Sequence, residues 1–232
     1  MKRAKVIIHM HTSIDGKIDG AYGKQAGDQF SGDFYSKQLF QLSSANANGA
    51  TTVAMYAATG HLDLTPFKGQ TPLYENWLPK IEAATWDIAF DRRGTMAWDK
   101  NYFDYGGKKS RVIEVLTKQA SQAYLAFLQS MEIPYIIGGD QELDLGLVLE
   151  VLRASYGIKA ISLAGGAKIN GAFLKAGLVD ELSIVVSPYI SGDNSVQGIF
   201  NTSGQFVDQK FEIMTTEKLQ DGGVYLRYLA TK

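Results

Sequence analysis

Residues 111–176 read RVIEVLTKQASQAYLAFLQSMEIPYIIGGDQELDLGLVLEVLRASYGIKAISLAGGAKINGAFLKA, and the periodicity of this stretch decides the fold class. Arg111 to Leu116 is a strand candidate. Ala120, Ala123, Tyr124, Phe127, Leu128 and Met131 then recur at i, i+3, i+4, i+7, i+8 and i+11, the stripe of an amphipathic helix, with Pro134 beyond its end. Tyr135-Ile136-Ile137 is the next strand. Leu145, Val148, Leu149, Leu152 and Tyr156 repeat the helical stripe, and Gly157 stands where a left-handed cap belongs. Ala160 to Leu163 is a third strand, Gly165-Gly166 a turn, and Asn170 to Ala176 a short helix. Strands that alternate with helices must be joined by crossovers, so they run parallel and carry helices on both faces.

Upstream, Val6-Ile7-Ile8 begins a strand that runs towards Ser13 and is broken at Asp15-Gly16. Residues 16 to 32 contain five glycines (16, 20, 23, 27 and 32) and read as a long, functional loop. Asp33 is the expected cap of a helix carrying Phe34, Leu39 and Leu42, and Thr51 to Tyr56 reads as a short buried strand. Residues 57 to 80 are irregular, and Trp86 to Phe90 is another strand. Downstream, Glu181 to Ser187 is a strand, while Phe211 to Glu217 and Val224 to Leu229 flank the hairpin signal Asp221-Gly222-Gly223. The expected fold is α/β, with a mixed, mostly parallel sheet ending in an antiparallel hairpin. No repeat, low-complexity tract or linker divides it, so residues 1–232 are expected to form a single domain.

Lys and Arg number 23 against 24 Asp and Glu, a net charge of −1, and the pI is near 6.3. Such a chain exerts no long-range pull on nucleic-acid phosphates or acidic lipid, so neither partner is expected. A hydrophobic share of 45% excludes disorder. With no cysteine, disulfides, thiolate nucleophiles, cysteine-ligated zinc and iron–sulfur clusters are excluded. The N-terminal apolar stretch is short and interrupted by His9 and His11, too weak for a signal peptide, and the expected location is cytoplasmic. Glycine is abundant at 24 residues against 5 prolines, which points to tight turns or to backbone that something must approach closely.

Gly165-Gly166-Ala167-Lys168-Ile169-Asn170-Gly171 lies between a strand and a helix, where a phosphate can reach backbone N–H groups and the helix dipole. A tight turn that merely needs glycine is the competing explanation. Neither G-x-G-x-x-G nor G-x-x-x-x-G-K-[ST] occurs. His9 and His11 share a strand face, but only His61 remains as a further histidine, so no metal site is expected. G-x-S-x-G is absent, which removes the usual support for a hydrolase triad. Arg92-Arg93, after a strand, can hold a phosphate or solvate a loop.

Four stretches together resemble a known family. These are Thr12-Ser13-Ile14-Asp15-Gly16-Lys17-Ile18, Gly49-Ala50-Thr51-Thr52-Val53, Phe90-Asp91-Arg92-Arg93-Gly94 and the run from Gly165 to Leu182 that ends Ala-Gly-Leu-Val-Asp-Glu-Leu. They resemble the RibD C-terminal family, the reductase domain of riboflavin biosynthesis, whose fold is dihydrofolate-reductase-like. The resemblance implies a three-layer α/β/α sandwich, a homodimer, and NADPH-dependent reduction of a ribosylamino-pyrimidine phosphate by hydride from the nicotinamide C4. It implies that the turn at Gly165, Gly166, Ala167, Lys168, Ile169 and Asn170 holds NADPH phosphates, with His11 and Thr52 along the cofactor. Asp15 and Lys17 fall on the substrate side as the implied catalytic pair, Lys17 binding an anionic group and Asp15 orienting it.

Three departures accompany the likeness. Phe40 stands where the family has an Arg that helps bind the substrate phosphate. Met55-Tyr56-Ala57-Ala58-Thr59 replaces an Asp-Asp-Pro run, and Ala164 replaces a Glu before the glycine pair. All three fall on the substrate side. The expected function is therefore an NAD(P)H-dependent reductase of a small pterin-, pyrimidine- or imine-like substrate other than the riboflavin-pathway phosphate. The alternatives are an NADPH-binding sensor without catalysis, the riboflavin-pathway 5-amino-6-(5-phosphoribosylamino)uracil reductase itself, and a dihydrofolate reductase, for which Asp15 is the only obvious carboxylate. Preference for NADPH over NADH rests on whether Arg92, Arg93 or a lysine reaches the 2′-phosphate.

Overall fold

Among the described residues, ten strands and five α-helices follow one another as β1 (Lys5–Thr12), α1 (Gln29–Leu42), β2 (Ala45–Gly49), α2 (Ala50–Tyr56), β3 (Trp86–Phe90), β4 (Tyr102–Tyr105), β5 (Lys108–Leu116), α3 (Gln122–Ser130), β6 (Tyr135–Ile137), α4 (Leu145–Tyr156), β7 (Ala160–Leu163), α5 (Ala167–Lys175), β8 (Glu181–Val186), β9 (Phe211–Lys218) and β10 (Val224–Ala230). The structure, a computed structural model, describes residues 2–231. It divides into two units, one of residues 44–159 with the segment up to Ala4, the other of Lys5–Ser43 with the chain from Ala160 onward.

In the second unit β1 is central, pairing in parallel with β7 (Ile8 opposite Leu163) and with β8 (Thr12 opposite Val186). Val6, Ile7, Ile8 and Met10 are all buried, as expected of a parallel strand covered on both faces. The antiparallel hairpin β9–β10 follows, with β10 against β8 and β9 beyond it. Helix α1 packs on β1, β7 and β8.

In the first unit β2, β3, β5 and β6 are parallel neighbours in that order, and β4 joins β5 antiparallel. The helical stripes of the sequence are the buried faces of α3 and α4. Tyr124, Leu125 and Leu128 of α3, and Val148, Leu149 and Leu152 of α4, are fully buried; each large side chain so placed contributes about 1.5–3 kcal/mol. Both helices are capped as their sequences require: Ser121 Oγ accepts from Tyr124 N (3.1 Å), Asp144 Oδ1 accepts from Leu147 N (2.9 Å), and Gly157 closes α4 at φ 65°.

The α/β class, the mostly parallel pairing and the closing hairpin are as the sequence predicts, but three local expectations are corrected. Thr51–Tyr56 is not a strand: it forms helix α2, and the strand is the preceding Ala45-Asn46-Ala47-Asn48-Gly49. Its β-branched Thr51-Thr52-Val53 run has strand propensity, but the register of β2 against β3 overrides it. Helix α1 begins at Gln29, with Asp28 at the cap position. Asp33 lies inside it, accepting from Gln29 Nε2 at 2.9 Å. Helix α5 starts at Ala167, directly after the glycine pair, rather than at Asn170.

Candidate active site at the ends of β1 and β7

In open parallel sheets, ligands bind beyond the carboxyl ends of the strands. Beyond β7 the chain passes through Ala164-Gly165-Gly166 into α5. Gly165 has φ 101°, and a Cβ there would lie 3.2 Å from both Met10 Sδ and Met10 Cε, so neither the backbone nor the space favours a side chain. Gly166 is the α5 cap residue, in extended backbone (φ −77°, ψ −167°), and no side chain caps the helix. The leading N–H groups of a nine-residue helix are thus left without a capping side chain at the end of a parallel strand. This arrangement fits a phosphate.

The neighbouring residues divide in two. Gly166 and Ile169 are half-buried and Lys168 is exposed, whereas Gly165, Ala167 and Asn170 are buried. Asn170 Nδ2 donates to Ile199 O (2.9 Å), and Asn201 N donates to Ala167 O (2.9 Å). The segment around Asn201 lies so close to α5 that a Cβ on Gly171 would stand 2.0 Å from Asn201 O. Asn170 and Gly171 therefore pack this segment, and the accessible anion donors are Gly166, Lys168 and the first-turn backbone.

Beyond β1, Ser13 organises a tight loop. Its Oγ donates to Asp15 Oδ1 (2.6 Å) and accepts from Lys17 N (3.0 Å). Asp15 also accepts from Ser191 N (2.9 Å) and Gly192 N (3.0 Å), while Lys17 Nζ donates to Val196 O (2.9 Å). The Ser13 hydroxyl, followed by the Ser191 N–H, holds the Asp15 carboxyl down at about 2. Asp15 and Lys17 are thus brought together, with Asp15 acting as a strut between the loop and the 191–196 segment. Lys17 Nζ retains donor capacity beyond its one bond, because an ammonium has three.

The rings of His9 and His11 share the face that the sequence predicts, and both lie against α1. His9 stacks on Tyr35 at 4.5 Å between ring centres. His9 Nε2 lies 2.9 Å from Tyr35 O, and Nδ1 lies 2.9 Å from Ser183 Oγ, which in turn meets Tyr225 Oη at 3.0 Å. A neutral ring donates from only one nitrogen, so it serves one of the two carbonyls it meets, Tyr35 O at Nε2 or Ser183 O, which lies 3.1 Å from Nδ1. Burial pushes His9 down to about 4, so it stays neutral. His11 Nε2 lies 3.3 Å from Asp28 Oδ1. Thr52 stands in the first turn of α2, in the other unit.

Sequence reasoning missed Asp28, Ser183 and Tyr225, all brought to this face by pairings far apart in the chain. Asp28 alone left a local signal, an acid immediately before a helix. A surface depression of about 430 Å³ lies at the opposite end of α5, beside Lys175, Gly177, Asp208 and Lys210, and does not include the glycine turn. Among the described residues no group of three or more His, Asp or Glu is placed to hold a metal, and no helix is long and apolar enough to cross a membrane.

Comparison with known proteins gives a consistent picture. The profile of the RibD C-terminal domain matches residues 4–225. The chain is 26% identical over 209 residues to the 2,5-diamino-6-ribosylamino-4(3H)-pyrimidinone 5′-phosphate reductase of Aquifex aeolicus, covering 88% of this chain and 85% of that one. It is 30% identical over 82 residues to the Methanothermobacter thermautotrophicus protein of the same name, covering 35% of this chain and 37% of that one. Among solved structures, a pyrimidine reductase-like protein from Corynebacterium diphtheriae superposes with a TM-score of 0.68 at 18% identity, over 99% of this chain and 92% of that one. For RibD of Acinetobacter baumannii the TM-score is 0.62 at 19% identity, and the chain, matched over 99% of its length, spans only 58% of that protein. At these identities the structural likeness establishes the dihydrofolate-reductase-like fold.

Proposed function

The chain belongs to the RibD C-terminal domain family, and on that premise we propose that it is an NADPH-dependent reductase of a small pyrimidine-type substrate. The observation that carries the reading is the uncapped, glycine-only entry to α5 at the end of β7. Bound with its phosphates there, NADPH would supply a hydride from its nicotinamide C4. Gly166, Lys168 and the first-turn N–H groups of α5 would hold the phosphates. Lys17 presents its remaining N–H donors to an anionic or developing negative group on the acceptor. Asp15, fixed by Ser191 and Gly192, keeps the Lys17 turn in place. Hydride transfer depends on such positioning more than on a nucleophile, which suits a chain without cysteine.

The names carried by the relatives favour the riboflavin-pathway pyrimidine phosphate as substrate over the expectation, drawn from Phe40, Tyr56 and Ala164, that it is something else. Those same three residues favour a second reading, in which the substrate carries no phosphate. The deciding experiment compares NADPH oxidation with 2,5-diamino-6-ribosylamino-4(3H)-pyrimidinone 5′-phosphate and with its dephosphorylated form. A charged phosphate contact is worth about 1.5–3 kcal/mol, so the first reading expects kcat/KM to drop at least about tenfold on dephosphorylation. Equal or better use of the dephosphorylated compound supports the second. NADPH binding with turnover of neither points to a sensor.

A homodimer is part of the same proposal. Phe206, Ile213, Met214 and Leu229 are exposed on and around the hairpin, and a second copy would cover them. Sedimentation equilibrium is expected to give twice the chain mass of 25.4 kDa, and a single-chain mass at micromolar concentration would count against it.

A further inference from the structure

Beneath the loop that follows β1 lie two buried polar side chains, His11 and Asp28, that the phosphate-binding turn at α5 does not use. Asp28, at the cap position of α1, is 2% exposed, yet neither of its carboxylate oxygens has a hydrogen-bond partner. His11 Nε2 is likewise buried and unbonded: at 3.3 Å from Asp28 Oδ1 it has the distance of an ion pair without hydrogen-bond alignment. An unpaired buried carboxylate costs several kcal/mol. Capping does not account for it, because Asp221, from the β9–β10 turn, takes that task. Asp221 accepts from Ser31 N at 2.7 Å and Ser31 Oγ at 3.0 Å, tying down the first turn of α1. Asp28 is left with His11 alone.

The groups facing His11 are few. Asp28 and Tyr35 come from α1, Tyr22 from the turn at residues 21–24, Asp221 from the hairpin, and His9 from its own strand. Burial pushes His11 down, while Asp28 and then Asp221 pull it back up. Asp15, the nearby alternative proton carrier, is saturated with donors and stays ionised. Tyr22 Oη, donating to Lys17 O at 2.9 Å and to His11 O at 3.3 Å, joins the pair to the Lys17 turn where the acceptor is assigned.

We propose that His11 and Asp28 form the acid that protonates the substrate atom left electron-rich by hydride transfer, an inference that rests on the reductase reading above. The hydride makes the new C–H bond, the π pair of the C=N or C=O bond moves onto nitrogen or oxygen, and that atom takes the proton from His11. Neutral His11 regains a proton from water through the exposed part of its side chain, which is 15% accessible. Asp28 acts as a positioning residue, stabilising the imidazolium.

The chain has only three histidines, so imidazole NMR of the protein without ligands reads the pair directly. His11 is expected to titrate below the ordinary imidazole value, because burial lowers it more than Asp28 raises it, and Asp28→Asn is expected to lower its midpoint further. In NADPH oxidation with the pyrimidinone phosphate, kcat/KM is expected to fall tenfold per pH unit above the wild-type midpoint. Asp28→Asn should move that fall to lower pH, with NADPH affinity changed less than about twofold. A His11 midpoint unmoved by Asp28→Asn overturns the proposal, as does a wild-type His11 that shows no titration while the protein remains folded. If Asp28→Asn does not fold, Asp28→Glu, which keeps the charge, serves in its place: a His11 midpoint that stays at the wild-type value supports the pair, and loss of titration overturns it. Failure of NADPH to bind the wild type sinks the reductase reading instead, while the titration still judges the pair.

Discussion

Replacing Gly166 by aspartate is expected to weaken NADPH binding at least about 100-fold while leaving α5 as stable as before, or slightly more so. The backbone at 166 is extended, and the position is an N-cap without a capping side chain. An aspartate there accepts from the N–H groups of Lys168 or Ile169, a favourable cap that gains a few tenths of a kcal/mol over glycine. Its carboxylate then occupies the place assigned to a cofactor phosphate and repels what remains of it. Two charge-assisted hydrogen bonds at about 1.5–3 kcal/mol each account for the loss of affinity. The neutral cap in Gly166→Ser is expected to fall between the two. If the glycine pair serves only the turn, Gly166→Asp should raise the melting temperature slightly and leave nicotinamide fluorescence titrations unchanged.

Asp87→Asn is expected to stabilise the protein at alkaline pH by as much as roughly 4 kcal/mol, or about 10 °C in Tm. Asp87 lies on β3, completely buried. Asn48 is near enough to ease the ionised form slightly, yet neither Asp87 oxygen makes a well-aligned hydrogen bond. Burial raises its carboxyl from an ordinary 3.8 to about 7. Because the folded value lies above the unfolded one, the associated stability is fully present below about pH 4 and is lost as pH rises through 7. Asparagine has no charge to bury, and its amide can use the side-chain oxygen of Asn46, directly opposite on β2 and without a partner. Urea denaturation of both proteins from pH 4 to 9 is the check. The curves should converge near pH 4, draw apart between about 4 and 7 and run parallel above 7, and a constant offset over the whole range would mean that Asp87 does not titrate in it.

Where local chemistry and tertiary need coincide, the sequence was readable. The stripes of α3 and α4, the left-handed Gly157, and the Gly165-Gly166 turn all announce themselves within a few residues, because capping, periodicity and backbone freedom are short-range properties. Strand β2 could not be read this way. Ala45-Asn46-Ala47-Asn48 has no strand propensity, and only its place beside β3 makes it one. Asp15 and Lys17 stand in one turn, but their partners Ser191, Gly192 and Val196 lie about 180 residues away, so the strut that Asp15 makes is not visible in the sequence. The separation between His11 and Asp28 carries no periodic signal either. Its meaning lies in the tertiary structure, where Asp221 does the capping that a lone acid before a helix would otherwise do.

The central claim, that this chain passes a hydride from a cofactor seated at the glycine turn to a pyrimidine-type acceptor, is tested most directly by isotope transfer. The protein is incubated with NADPH deuterated at the transferred C4 position and with the pyrimidinone phosphate or its dephosphorylated form, and the product is weighed by mass spectrometry. One deuterium in the product of either compound, lost in Gly166→Asp, is the expected result. An unlabelled product, or none from either compound while NADPH binds, would contradict the account.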